Sequence, residues 1–406
     1  MKNCRNHFEI ALNKIKILIR NFFYLWTILI VFSVSGQESD NIIIGTKHTI
    51  VSNILREDRT YQLYLPDSYA KSSKTYPVIL LLDGDYHFHS ATGIVQYLSN
   101  DGEIPEMIVV AVPNTDRNRD FTPSHSLINY VGDTDEKQKT TGGAEKFLDF
   151  LEQELLKEID SKYRTNKYRI LVGHSMGGEL STYAFLSPER SFNAHIAIDP
   201  SFWWDDQYII KKIDSSIIKK IVNKKIYIST ADNYERSHFI TRARTSQELF
   251  YALLKNNGMP YKNCEFEYFE QENHITVPIL SLYHGLYFLF KDFVLEDVEF
   301  RSAEEIADHY QKLSDDLGIA FLPPENMINN VAYYKLYGGK DRENALKLLK
   351  MSLSYYPDSA ITYEILGEAY KLTGENKKAL EYYQKSYELD PSNESVAKTI
   401  RELKNK

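Results

Sequence analysis

The segment that most limits what this chain can become runs from Tyr168 to Pro188, YRILVGHSMGGELSTYAFLSP. Ile170-Leu171-Val172 reads as a short buried strand, and Glu179 to Leu186 reads as a helix stopped by Ser187-Pro188. Between them, Gly173-His174-Ser175-Met176-Gly177 is a G-x-S-x-G turn from strand to helix. Such a turn holds its serine in a strained backbone conformation and lifts the hydroxyl out of the top of a sheet. The flanking glycines lack Cβ atoms, so strand and helix can approach closely. The competing reading is a glycine-rich turn with an ordinary helix-capping serine. The strand before the pentapeptide and the helix after it favour a nucleophile.

Continuous apolar runs recur along the chain at 77–82, 107–112, 194–198 and 226–228, as fully buried strands require. Residues 42–65 alternate apolar and polar instead, as antiparallel strands at a sheet edge do. Helical patterns fall at 143–157, 179–186, 209–222 and 242–256. This alternation predicts an α/β fold with a mostly parallel sheet covered on both faces. In such sheets function collects at the carboxyl ends of the strands.

The two ends of the chain read differently. Arg5, Lys14, Lys16 and Arg20 precede an apolar run, Phe22 to Val34, and then Ser33, Ser35 and Gly36 supply small residues. This predicts a secretory signal peptide over 1–36 and an exported product, periplasmic or secreted. An uncleaved N-terminal membrane anchor is the alternative. No cysteine stands directly after the apolar run, which argues against lipoprotein processing. Only Cys4 and Cys264 exist, so the mature chain keeps one thiol and forms no internal disulfide. A net charge of −8 argues against a nucleic-acid partner.

The α/β part is expected over 37–298 and a helical linker over 299–325. Over 326–406 a repeat appears. Ala345 recurs as Ala379 and Pro357 as Pro391, a period of 34 residues. That is the period of the tetratricopeptide helix hairpin, a surface on which a protein partner can dock. The second unit carries Leu366, Gly367, Tyr370, Ala379, Tyr383 and Pro391, whereas the first lacks the glycine. Two units are fewer than a free-standing array needs, so they are expected to pack on the helix from Ser302 and on the preceding domain.

A serine hydroxyl needs a base, and the base needs an orienting carboxylate. For a strand-to-helix elbow the order is Ser, acid, His. The histidines after Ser175 are His195, His238, His274 and His284. His195 lies in an apolar strand, His284 in a helical run and His238 at a helix start. His274 follows the strand 265–269 in a loop, where a last strand delivers a base over the elbow. The acid is Glu235, with Asp232 as the alternative, both after the strand 225–230. The oxyanion donors are the backbone amide of Met176 and that of Asp85 or Tyr86, in the loop after Leu82. Asp83, Asp85, His87 and His89 also form a donor set for a metal, but they fall where the oxyanion donor is expected. The chemistry calls for no cofactor or metal. Trp203 and Trp204 follow a strand on the face of Ser175, where aromatic side chains stack on an acyl group or a sugar, or simply form an apolar lid.

Taken in order, Leu82–Asp85, Arg117–Pro123, Gly173–Gly178, Asp199–Trp204 and Glu272–His274 resemble the putative esterase family of α/β hydrolases. That group includes enterochelin esterases, S-formylglutathione hydrolases, feruloyl esterases and mycolyltransferases. The likeness spans roughly residues 40 to 295, and some members carry a tetratricopeptide-like tail. It implies a serine carboxylesterase with Ser175 and His274, and a substrate-contacting role for Arg119 and Asp120. Siderophore, feruloyl or acetyl-saccharide and simple acyl esters all fit. Acyl transfer on the same apparatus is the nearest rival. A non-catalytic protein that binds partners through its tail is the rival from another class.

Overall fold

Strand pattern decides strand position in this molecule. The structure, a computed structural model, describes residues 41–232, 238–339 and 341–405. The signal-peptide reading and Glu235 lie outside these residues. The fold below belongs to the compact unit Ile44–Lys406. The alternating segments β1 (Thr46–Ser52) and β2 (Glu57–Tyr64) pair antiparallel at one edge, Thr46 opposite Leu63 and Ser52 opposite Glu57. The apolar runs form β3 (Tyr76–Leu82), β4 (Ile108–Val112), β5 (Thr165–His174), β6 (Ala194–Ile198), β7 (Lys225–Ala231) and β8 (Cys264–Phe269). These six are mutually parallel, and β2 joins β4 antiparallel. The order across the sheet is β1-β2-β4-β3-β5-β6-β7-β8.

The connections are helical: α1 (Gly84–Asn100), α2 (Arg117–Phe121), α3 (Ala144–Phe150), α4 (Met176–Phe185), α5 (Ser215–Ile221), α6 (His238–Asn256) and α7 (Val277–Phe290). Successive strand residues point to opposite faces, and both faces are buried. Ile79, Leu81, Val109, Val172 and Ile196 pack under α1 and α7. Val78, Leu80, Val110, Leu171 and Ile228 pack under α3, α4 and α6. Two expectations change. The stretch after Leu82 is no loop, because α1 starts at once and buries Ala91, Val95 and Leu98 at helical spacing. Residues 209–222 make only a 3₁₀ turn and α5, because the Asp214 carboxylate accepts the Ser216 and Ile217 amides and so starts a helix there.

Beyond the sheet lie α8 (Ala303–Leu317), α9 (Glu325–Tyr337), α10 (Arg342–Tyr355), α11 (Ala360–Leu372), α12 (Asn376–Leu389) and α13 (Glu394–Lys404). A capping box opens α8: the Ser302 hydroxyl accepts the Glu305 amide while the Glu305 carboxylate accepts the Ser302 amide. Ala345 and Ala379 are both fully buried, as a 34-residue period demands. Gly367 sits where a Cβ would stand 2.9 Å from the Tyr383 ring, so α11 and α12 cross closely. The first unit has the exposed Tyr333 at that register.

The linker packs on the sheet domain, and the repeats reach it through Tyr356, whose ring centroid lies 4.6 Å from Lys74 Nζ. Phe321 meets Tyr168 and Phe290 with ring centroids 6.2 Å apart in each case, and the Tyr310 hydroxyl donates to Phe293 O at 2.8 Å. Tyr168 lies near the amino end of β5, so the tail covers the end of the sheet opposite Ser175. A cavity of about 400 Å³, between Lys74–Pro77 and Ala320–Leu322, marks this seam.

Candidate active site

The carboxyl ends of β3, β5, β6 and β7 and the loop after β8 supply the site. Ser175 follows β5 with φ 59° and ψ −117°, a conformation that a non-glycine residue holds only when its surroundings impose it. They do so here. Its amide donates to Ile198 O at 2.9 Å, and its carbonyl accepts the Ser201 amide at 3.1 Å. A Cβ on Gly173 would lie 2.1 Å from Gly177 O, which explains the first glycine of the pentapeptide. The Ser175 hydroxyl lies 3.3 Å from that of Ser201.

One residue past Ile198, and so one past the end of β6, stands Asp199. Its carboxylate is buried, 2% exposed, and its Oδ2 accepts His274 Nδ1–H at 2.6 Å. Its Oδ1 accepts from Gln247 Nε2 at 3.0 Å, and Gln247 also donates to Pro200 O at 2.7 Å. Among the described residues the carboxylate on His274 Nδ1 is that of Asp199, after β6, and not that of Asp232, after β7; Glu235, the first expectation, lies outside them. The Asp232 amide instead donates to Phe269 O and Glu272 O, at 3.1 and 2.9 Å, and so ties down the loop that carries His274. Of the other histidines, His195 is buried in β6 between Phe185 and Phe192, and His284 pairs with Glu267 at 3.0 Å.

The opposite wall comes from β3 and α1. Met176 is the first residue of α4 and Asp85 the second of α1, positions whose amides have no helical carbonyl before them. The Tyr86 amide is spent on Asp83 O at 2.9 Å, so Asp85 is the donor of the two that the turn leaves to a ligand. Asp83 itself accepts Arg117 Nε at 2.7 Å and Asn114 Nδ2 at 2.5 Å. His174 lies under the site, its ring centroid 4.4 Å from that of His274 and 5.7 Å from that of His87. Burial, and then the neighbouring imidazoles, push His174 down to about 3, so it is neutral near pH 7. Burial lowers His87 as well.

With this geometry in place, the relatives are informative. The sequence model of the family described as Putative esterase matches residues 52–272, more than half of the chain. The chain belongs to this esterase family. A tetratricopeptide repeat model matches residues 360–393. The ferri-bacillibactin esterase of Bacillus subtilis is 32% identical over 263 residues, which cover 60% of this chain and 90% of the relative. A siderophore triacetylfusarinine C esterase of Aspergillus fumigatus is 24% identical over 53% of this chain and 82% of its own. Among solved structures, an IroE-like serine hydrolase from Shewanella oneidensis superposes with a TM-score of 0.68 at 30% identity, over 77% of this chain and 99% of the other. An uncharacterised protein from Capnocytophaga ochracea shares the fold over 89% of this chain, with a TM-score of 0.56 at 19% identity. The protein is a carboxylic ester hydrolase with an α/β fold and a helical tail.

The structure redistributes the remaining expected contacts of this esterase. Trp204 is 0% exposed, and its indole N–H donates to Ser124 Oγ at 3.1 Å, so it packs beneath the 122–142 loop. Trp203 stays half-buried and meets Tyr130 of that loop edge-on at 6.5 Å. Arg119 and Asp120, expected to contact substrate, are held by ion pairs within the protein. Asp120, 1% exposed, takes Arg59 at 2.6 Å and Arg119 at 2.8 Å, while Arg119 also takes Glu57 at 2.6 Å. This network pins α2 to β2. Among the described residues no group of three or more His, Cys, Asp and Glu side chains is arranged to hold a metal ion.

Asp199, Arg117 and His174 are the site residues that sequence reasoning missed. A signal was present for the first. Asp83, Asp199 and Asp232 each come directly after the last residue of a parallel strand, the position where function collects.

Proposed function

We propose that this esterase cleaves the ester bonds of a siderophore through an acyl-enzyme on Ser175. The observation that carries the mechanism is the 2.6 Å bond from His274 Nδ1–H to Asp199. With its proton held on Nδ1, the imidazole has Nε2 as its basic atom. His274 Nε2 takes the Ser175 proton as Oγ attacks the ester carbonyl. The amides of Met176 and Asp85 then receive the developing oxyanion. The proton passes from Nε2 to the leaving alkoxide, and the acyl group stays on Oγ. Water, deprotonated by the same nitrogen, attacks that acyl group and releases the acid. The siderophore assignment is supported by the names of the relatives, two of which are esterases of siderophores. We further propose that the enzyme is exported and meets its substrate outside the cytoplasm, as the basic and apolar leader suggests. The tail then serves a protein partner from the amino end of the sheet.

The test is product analysis by mass spectrometry on an ester panel. The panel comprises a trilactone siderophore with and without iron, a feruloyl ester and an acetyl ester. An added alcohol acceptor reveals any acyl transfer. Linear acid products from the siderophore, absent with Ser175→Ala, are expected. Turnover of the acetyl ester with no siderophore cleavage would refute the substrate, and equal turnover by Ser175→Ala would refute the mechanism.

A further inference from the structure

Two strained turns meet at this site, and one side chain ties them together. Asp83 has φ 53° and ψ 44°, and Ser175 has φ 59°, both at positive φ, which side-chain-bearing residues rarely hold unaided. Each turn delivers one oxyanion amide two residues after a point that Arg117 holds. Asp83 leads to Asp85, and His174 leads to Met176. The Arg117 guanidinium grips the Asp83 carboxylate with Nε at 2.7 Å and Nη2 at 3.1 Å, and the same Nη2 donates to His174 O at 3.0 Å. Asn114 adds a donor to Asp83 Oδ1 at 2.5 Å, and the guanidinium lies 5.2 Å from the Phe121 ring centroid. The turns are in near contact, since a Cβ on Gly177 would stand 3.2 Å from Asp83 Oδ2. The Asp83 carbonyl also accepts the Tyr86 and His87 amides, so its orientation sets the first turn of α1.

We infer that Arg117 is a positioning residue for the oxyanion hole: it holds the β3–α1 turn and the nucleophile elbow at one fixed separation. A charged bidentate clamp suits that task, because its planar fork fixes direction as well as distance. Donors contribute to the transition state only when they are already aimed at the oxygen that will carry charge. An oxyanion hole assembled from two strained turns needs such a strap. The inference rests on the acyl-enzyme reading. Wild type and Ser175→Ala, measured alongside, decide that reading independently.

The experiment compares kcat and KM on an acetyl ester for wild type, Arg117→Ala, Arg117→Lys, Asp83→Ala and the Arg117→Ala/Asp83→Ala double variant. In Arg117→Ala, kcat falls by about 10- to 100-fold with KM little changed, since only the transition state uses the aligned donors. Millimolar guanidinium restores part of that loss in Arg117→Ala and none in Asp83→Ala. The double variant is no worse than the poorer single variant, because both break one link. Arg117→Lys keeps a charge beside Asp83 and hence the fold, but its ammonium lacks the fork and loses kcat too. A rise in KM with kcat retained would overturn the inference and make Arg117 a substrate contact. Additive losses, or no response to guanidinium, would overturn it as well.

Discussion

Replacing Asp199 with asparagine removes one charge and keeps the shape. The carboxylate has two jobs at present. Oδ2 accepts His274 Nδ1–H at 2.6 Å, and Oδ1 accepts Gln247 Nε2 at 3.0 Å with the Thr230 hydroxyl 3.4 Å away. An asparagine has one carbonyl oxygen and one NH₂ to offer. The donors on the Oδ1 side keep the oxygen there, which turns the NH₂ toward Nδ1. His274 then carries its proton on Nε2 and cannot accept one from Ser175. For a triad forced into that tautomer the loss in kcat is about 10⁴-fold, equivalent to about 5 kcal/mol of barrier. KM stays near the wild-type value, because the interaction acts only once charge develops. The assay is steady-state hydrolysis of a chromogenic acetyl ester, with the rate of fluorophosphonate labelling of Ser175 as a second readout. A kcat for Asp199→Asn within tenfold of wild type would refute the reasoning, as would an equal loss from Asp232→Asn with Asp199 intact.

Three further outcomes are expected. Gly173→Ala puts a methyl 2.1 Å from Gly177 O, so the elbow must shift; urea melts should show a loss of about 2–4 kcal/mol with activity nearly abolished, and a stable, active variant would contradict the elbow geometry. Asp120→Ala leaves the buried Arg59 short of its main partner and should cost about 3–5 kcal/mol in the same melts with KM unchanged, whereas a raised KM at full stability would make Asp120 a substrate contact after all. Glu179 is fully buried with no hydrogen-bond partner for its carboxyl among the described residues, and burial raises its pKa well above the ordinary value. Its folded form therefore keeps a proton that the unfolded chain releases above about pH 4, so this group costs stability increasingly as pH rises. The melting temperature of Glu179→Gln relative to wild type should climb between pH 4 and pH 8, and a difference independent of pH would contradict this.

What was legible in the sequence was what depends on neighbours along the chain. The elbow is written in five consecutive residues, and the buried parallel strands are written in their apolar runs. The 34-residue period placed the repeat tail, and Ala345 and Ala379 are buried alike. His274 could be singled out as the candidate base because only one histidine after Ser175 stands in a loop beyond the last strand. The acid was not reachable in this way. Asp83, Asp199 and Asp232 stand at equivalent strand ends, and only the lateral order of β3, β6 and β7 decides which one faces the imidazole. The same limit applies to Trp203 and Trp204, adjacent in sequence, of which one is wholly enclosed and the other half-buried. Arg117, Arg119 and Asp120 share one short helix, yet Arg117 turns to Asp83 while the other two turn to β2. No local pattern separates such directions, because they are set by what the tertiary fold brings opposite each side chain. The helix α1 was hidden for another reason. It starts with no spacer after β3, so a run of Asp, Gly and His reads as a turn until Ala91, Val95 and Leu98 show their spacing.

The central claim is that an ester's acyl group passes through Ser175. Rapid acid quench of enzyme mixed with an activated ester, followed by peptide mass spectrometry, measures this directly. The account predicts one acyl adduct, located on Ser175, that forms in the burst in wild type and forms far more slowly when His274 is replaced by alanine, because the same nitrogen activates the serine. An adduct on another residue, or undiminished turnover in Ser175→Ala with no adduct at all, would contradict it.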